Sequence, residues 1–212
     1  MRMPRIKYPN AIYHIYNQGV NRGTVLFDNE DNEYFLWLLN SLRKEYHVKV
    51  FCFVTMINHY HCLLRTIEPN ISDVMQRLGY YFVKFINNKY RRVGPLFRNR
   101  FQSQLVESED YLRNVIAYIH NNPLVAGLIS EIHDRNEAVF TSFHDLVGLT
   151  ADFPWIDKQD LGALLQLPVE SEQFRQLLWR PIAKESFYDI TMIERINQRI
   201  RQRQGQRPLV AA

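Results

Sequence analysis

The chain has 212 residues, 46% of them hydrophobic, with 26 Lys and Arg against 22 Asp and Glu for a net charge of +4. That size and apolar content exclude a disordered chain and suit one domain with added elements, or two small ones. The mild positive balance permits a polyanionic partner without requiring one, and no apolar run of about 18 residues or signal-like leader points to a membrane or to export. A cytoplasmic protein is expected. Its only two cysteines, Cys52 and Cys62, sit in apolar runs and read as reduced core residues.

In chain order, residues 11–18 (AIYHIYNQ) are β-branched and aromatic and predict a first strand. A loop follows. A helix starts near Asn29 to Asp31, where Asn and Asp can cap, and carries Phe35, Leu38, Leu39 and Leu42 at helical spacing. Residues 48–57 predict a second strand, Asn58 a turn, and HYHCLLRT a third strand. Residues 71–90 predict a helix with Val74, Leu78, Phe82, Phe85 and Ile86 on its apolar side. Residues 101–107 predict a fourth strand. SEDYLRNVIAYIHNNP predicts a further helix, capped by Ser108, with Glu109 and Asp110 in its first turn and Pro123 as its stop. The order β-α-β-β-α-β plus a helix predicts an α+β fold. Its expected core is a ferredoxin-like, RRM-like antiparallel sheet with helices on one face, the other face uncovered and the third strand central or nearly so. Beyond about Leu149 short helical segments joined by Pro and Gly predict a C-terminal helical appendage. The expected division is 1–148 for the sheet domain and 149–212 for the extension with a basic tail.

MINHYHCLL, residues 56–64, sets two histidines one residue apart in an apolar run. In a strand, His59 and His61 share a face and Tyr60 points the other way. Two imidazoles so placed can both reach one divalent cation; they can also be ordinary polar residues of a solvated strand. On the last predicted helix, a wheel turning about 100° per residue puts Tyr111, Asn114 and Asn122 within about 40° of Tyr118. Tyr118 and Asn122, at i and i+4, can therefore point at one place. His120 falls roughly opposite Tyr118. A tyrosine hydroxyl can attack a phosphodiester when its charge is stabilised, although its free pKa of about 10 makes it a poor nucleophile at neutral pH. Two histidines and an Asn122 carbonyl form a modest site with open positions, suited to Mg²⁺ or Mn²⁺. Taken singly, Tyr118 reads equally as packing and Asn122 as a helix C-terminal residue. The chemistry needs the helix to lie across the histidine face.

Charge is clustered locally. Lys89, Arg91, Arg92, Arg98 and Arg100 form one basic patch, and five arginines against Glu194 alone fill residues 191–212. Two such patches suit a phosphate backbone met at separate points, or a solvated surface and tail. Arg91, Arg92, Arg98 and Arg100 are the candidate phosphate contacts. Tyr80, Tyr81 and Phe97 could stack on bases or simply pack. His14, which shares a strand face with Tyr16, could approach the histidine pair from behind.

Four segments together resemble a known family. NHYHCLL resembles the histidine-pair signature of HUH single-strand DNA transposases and nickases. AYIHNNPLVAGL resembles the tyrosine helix of the IS200-like, single-tyrosine branch, and GPLFRNRFQSQLVESEDYL the preceding segment of its REP-associated group. YHIYNQGVNR resembles the first strand and following turn. The resemblance covers residues 8–148. It implies a transposase that cleaves and rejoins single-stranded or hairpin DNA through a 5′-phosphotyrosine. His59, His61 and Asn122 are the implied ligands of Mg²⁺ or Mn²⁺, and Tyr118 is the implied nucleophile. Tyr60 departs from the bulky aliphatic usual between the histidines, and residues after Leu149 depart most. Monomer and homodimer are both compatible with the resemblance. The rival readings are a non-catalytic single-stranded nucleic-acid-binding module and a metal-dependent nuclease that activates water.

Overall fold

The computed structural model describes residues 5–180. The arginine-rich tail singled out above, 191–212, lies outside the described residues. The elements run β1 (Ile12–Gln18), α1 (Asn29–Glu45), β2 (Val48–Met56), β3 (His59–Thr66), α2 (Ile71–Lys89), β4 (Gln102–Val106), α3 (Glu109–Val125), β5 (Phe140–Thr141), α4 (Phe143–Leu146), α5 (Lys158–Leu164) and α6 (Glu172–Trp179). The five strands form one antiparallel sheet in the order β4-β1-β3-β2-β5. β3, the histidine strand, is at its centre. The two-residue β5 is an addition that no sequence pattern announced.

Alternation along the strands sorts side chains to two cores. Tyr13, Ile15, Tyr60, Cys62 and Leu64 face one side, where α1 and α2 cover them with Phe35, Leu39, Leu78 and Phe82. Tyr60 is buried there against Phe35 and Phe97, so its ring substitutes for an aliphatic in the core, and burial pushes its phenol pKa well up. Leu63, Val54 and Met56 face the other side, under α3 and α4–α6. A bulge between Val50 and Cys52 interrupts the alternation and turns both Phe51 and Cys52 to this second side. The expected sheet with α1 and α2 on one face is therefore present, but its second face is not open throughout. The C-terminal helices supply Leu161, Leu165, Phe174 and Leu178, which are buried with the α3 side chains.

Two local devices place the site. Gly19 ends β1 in a turn so tight that a Cβ there would lie 2.1 Å from the Gly23 carbonyl oxygen, and its N–H donates to Asn58 O in the β2–β3 turn. This joins the end of β1 to the start of β3. At the other helix layer, Lys89 at the end of α2 bonds Asp28, Glu30 and Asp31 around the start of α1 at 2.8–2.9 Å. The basic loop that follows thus starts from a fixed point.

Pro123 does not stop α3. It sits inside the last turn, and the helix ends two residues later. The stop is Gly127, at φ +70°, with Gly127 N–H donating to Leu124 O and Leu128 N–H to Pro123 O. That paired closure needs a left-handed residue, which glycine supplies without strain, whereas a proline only removes one donor.

Candidate active site

β3 presents His59 and His61 on the face that α3 crosses, their ring centroids 5.2 Å apart and nearly perpendicular. On β1, Tyr16 is the cross-strand partner of His61 and Gln18 that of His59. α3 is seated by Ser108, whose hydroxyl accepts from Tyr111 N–H, and by Leu112, Val115, Ile116 and Ile119, which enter the second core. Tyr111 also donates to Gln104 Oε1 on β4 at 3.1 Å. With its apolar side so fixed, the helix turns Tyr118 toward the histidines. The Tyr118 ring lies 5.3 Å from the His61 ring and 5.6 Å from that of His14, edge-on to both. One turn on, Asn122 Nδ2 donates to Tyr118 O at 2.9 Å. The Asn122 side chain also meets the His59 ring, a contact that favours the charged ring but is outweighed by burial. The four residues expected to meet do so within one chain.

Burial is the first cause of the low pKa at both histidines. His61 is held well below the usual range, helped by the adjacent His14 and His59, and His59 is lowered too. Neutral imidazoles are the form that binds a cation. His59 Nδ1 lies 2.6 Å from Asn58 Oδ1, and His61 Nδ1 lies 2.9 Å from His14 Nε2. Among the described residues no group of three or more His, Cys, Asp or Glu could hold a metal. The donors on offer are two histidines and one amide oxygen. That set is poor for structural zinc and fits a hard or borderline divalent ion completed by water and substrate.

His120 faces away from this site, as the wheel predicts. It lies 3.1 Å from Ser142 Oγ, and burial drives its pKa down to about 3. A pH dependence follows. The unfolded chain binds a proton on each such histidine near pH 6.5, whereas the folded chain does not until lower pH, so stability is full above about pH 6.5 and falls as the pH drops. Between pH 7.5 and 5.0 carboxylates stay ionised, and Asp28, held down to about 2 by its Lys89 hydrogen bond, does not contribute. The unfolding free energy of metal-free protein, taken from urea melts, should fall across this window by up to about 2 kcal/mol for each buried neutral histidine, and His120→Asn should flatten the slope.

The basic candidates divide. Arg98 and Arg100 are exposed and carry no ion pair among the described residues. Arg98 N–H donates to Gln18 O, next to His59 across the ladder, so both sit at the histidine end of the sheet. Arg91 is exposed at φ 49°, just after α2. Arg92 is half-buried with its guanidinium 5.6 Å from the Phe27 ring, on the side of α1 and α2. Phe97 packs against Tyr60, and Tyr80 and Tyr81 are exposed on α2, across the sheet from the histidines. No pattern in the sequence marks Arg22. It is exposed, and its carbonyl accepts from Asn58 Nδ2 beside His59. Only the register of the turn after β1 brings it there, and a lone arginine in a loop gives no signal of that.

A central histidine pair under a helix that carries a tyrosine and an asparagine one turn apart has the arrangement of an HUH-type domain. The chain belongs to the IS200-like transposase family, whose model matches residues 7–122. Among solved structures, a REP-associated tyrosine transposase bound to a REP hairpin shares the fold, with a TM-score of 0.58 and 17% identity over 69% of this chain and 85% of that one. A protein of Deinococcus radiodurans R1 assigned as a transposase is 20% identical over 57% of this chain and 97% of its own, at a TM-score of 0.40. No protein of curated function matches the sequence. No described helix is long and apolar enough to cross a membrane.

Proposed function

We propose that this chain is a single-tyrosine transposase of the REP-associated kind, which breaks and rejoins single-stranded DNA at hairpin-associated sites. The observation that carries the reading is the convergence of Tyr118 on His61 and of Asn122 on His59. A binding module has no use for that pairing. A Mg²⁺ or Mn²⁺ ion held by His59, His61 and Asn122 would polarise the scissile phosphate and offset charge as it develops. Tyr118 attacks phosphorus and gives its phenolic proton to solvent, while the P–O3′ bond breaks and the leaving 3′ oxygen takes a proton from solvent to become a 3′-hydroxyl. The 5′ end stays on Tyr118 as a phosphotyrosine, so the bond energy is kept and a later 3′-hydroxyl can reverse the step. No nucleotide cofactor is needed. In this reading the tyrosine and histidines of one chain act together, so a monomer suffices.

Tyr16 and Gln18 on β1, Gln102 on β4, and the Arg98–Arg100 loop flank the histidines on the side where a strand would enter. Arg98→Ala and Arg100→Ala should each weaken binding of single-stranded DNA at all sequences alike. Each should reduce the slope of log K against log salt by roughly 0.7, and Arg92→Ala should not. Fluorescence anisotropy over a salt series measures this.

The direct test incubates single-stranded DNA from the flanks of this protein's own gene with protein and Mn²⁺, then denatures and weighs the product. A protein–DNA adduct supports the reading. Folded, DNA-binding protein that forms none on varied ends would favour the binding-module alternative.

A further inference from the structure

His14 is buried, at 1% exposure, in the middle of β1. It is not the direct partner of His61 across the ladder. That place belongs to Tyr16, and His14 is opposite Leu63. His14 instead reaches diagonally, a contact open to long and aromatic side chains in an antiparallel pair. Its Nε2 comes to 2.9 Å from His61 Nδ1, with the ring centroids 5.1 Å apart and the two ring planes inclined by 23°. Tyr16 stacks on His61 as well, at 5.5 Å and 27°. The His61 ring therefore has little freedom to turn.

We infer that His14 is a positioning residue, which accepts a hydrogen bond from His61 Nδ1–H and so keeps the His61 Nε2 lone pair available as a ligand. The inference rests on the metal-dependent reading above and deepens it. A neutral imidazole carries one donor and one acceptor nitrogen. Between the two rings one nitrogen must donate and the other accept. If His61 is to offer Nε2 to a cation, its proton must be on Nδ1, and His14 Nε2 must be the acceptor. His14 then keeps its own proton on Nδ1. The pair is a mutual lock on two tautomers, and a partner of this kind commonly changes metal affinity by roughly 10–100-fold when removed.

The test uses two variants and two measurements on the full chain. His14→Phe keeps the ring but loses the acceptor. His14→Gln places an amide oxygen near the position of Nε2 and can still accept. Mn²⁺ binding followed by titration calorimetry should weaken roughly 10–100-fold in His14→Phe and stay near wild type in His14→Gln. A mere packing role predicts the reverse order, since Phe matches the ring better. The second measurement needs no metal: ¹⁵N NMR of the histidine rings should show His61 protonated on Nδ1 in the wild type and a mixture of tautomers in His14→Phe. Wild-type affinity in folded His14→Phe, or an Nε2–H tautomer at His61 in the wild type, would overturn the inference. Wild-type protein that binds no Mn²⁺ would sink the metal reading itself, while the NMR result would still decide the role of His14.

Discussion

Tyr118→Phe is expected to abolish the covalent protein–DNA adduct and to lower strand cleavage by at least about 10³-fold, with the fold and DNA binding kept. The substitution removes one oxygen. The ring is 5% exposed and meets the His14 and His61 rings by its edge, contacts that phenylalanine repeats. The urea midpoint of the variant, measured beside its activity, tells lost chemistry from lost structure. Mass measurement of denatured reaction mixtures reads the adduct, and a gel reads cleavage. Cleavage that persists in the phenylalanine variant at wild-type rate would mean that water, not Tyr118, is the nucleophile.

The second large effect is expected at the histidines. His59→Ala and His61→Ala should each lower adduct formation by roughly 10²–10³-fold, the range found when one group stabilising charge in a transition state is removed. Chelation of divalent ions from the wild type should do the same, and added Mn²⁺ should restore it. The two variants should differ in one respect. His59 is partly exposed and its loss leaves Asn122 without a ring to meet, whereas His61 is 6% exposed and its loss also leaves His14 facing a gap. His61→Ala should therefore cost more stability, visible as a lower urea midpoint. Adduct yields that ignore both the chelator and the substitutions would remove the metal from the mechanism.

The parts of the site that could be read from sequence are those governed by short, local periods. His59 and His61 share a face because a strand alternates, and Tyr118 and Asn122 share one because a helix returns in four residues. Both statements need only the neighbours in the chain. The central place of the histidine strand followed from the order of elements, and the sheet bears it out. What was not legible depends on the whole molecule. The bulge that turns Phe51 and Cys52 together, the short β5 and the filling of the second face by Phe174 and Leu178 come from long-range packing. The four arginines of one basic run looked equivalent, yet Arg92 leans over Phe27 while Arg98 is tied by its backbone to Gln18. Pro123 predicts a stop because the residue before a proline is biased out of the α region, but the chain turns only where Gly127 permits it.

α3 is held from both sides. Beneath it is the sheet; above it Asn121 bonds Arg180 O at 3.0 Å and Arg113 bonds Leu165 O at 3.0 Å, with α6 packed along it. Under the proposed chemistry, a tyrosine on a helix held in this way would keep its place. Once joined to a cut 5′ end, it would be an anchor rather than a carrier, and the trade of one strand for another would have to come from motion of the DNA. A new 3′ end would be delivered to a stationary tyrosine. The order of joining would then be set by which ends can reach the face of β1 and β4, as a lathe fixes its tool and moves the work.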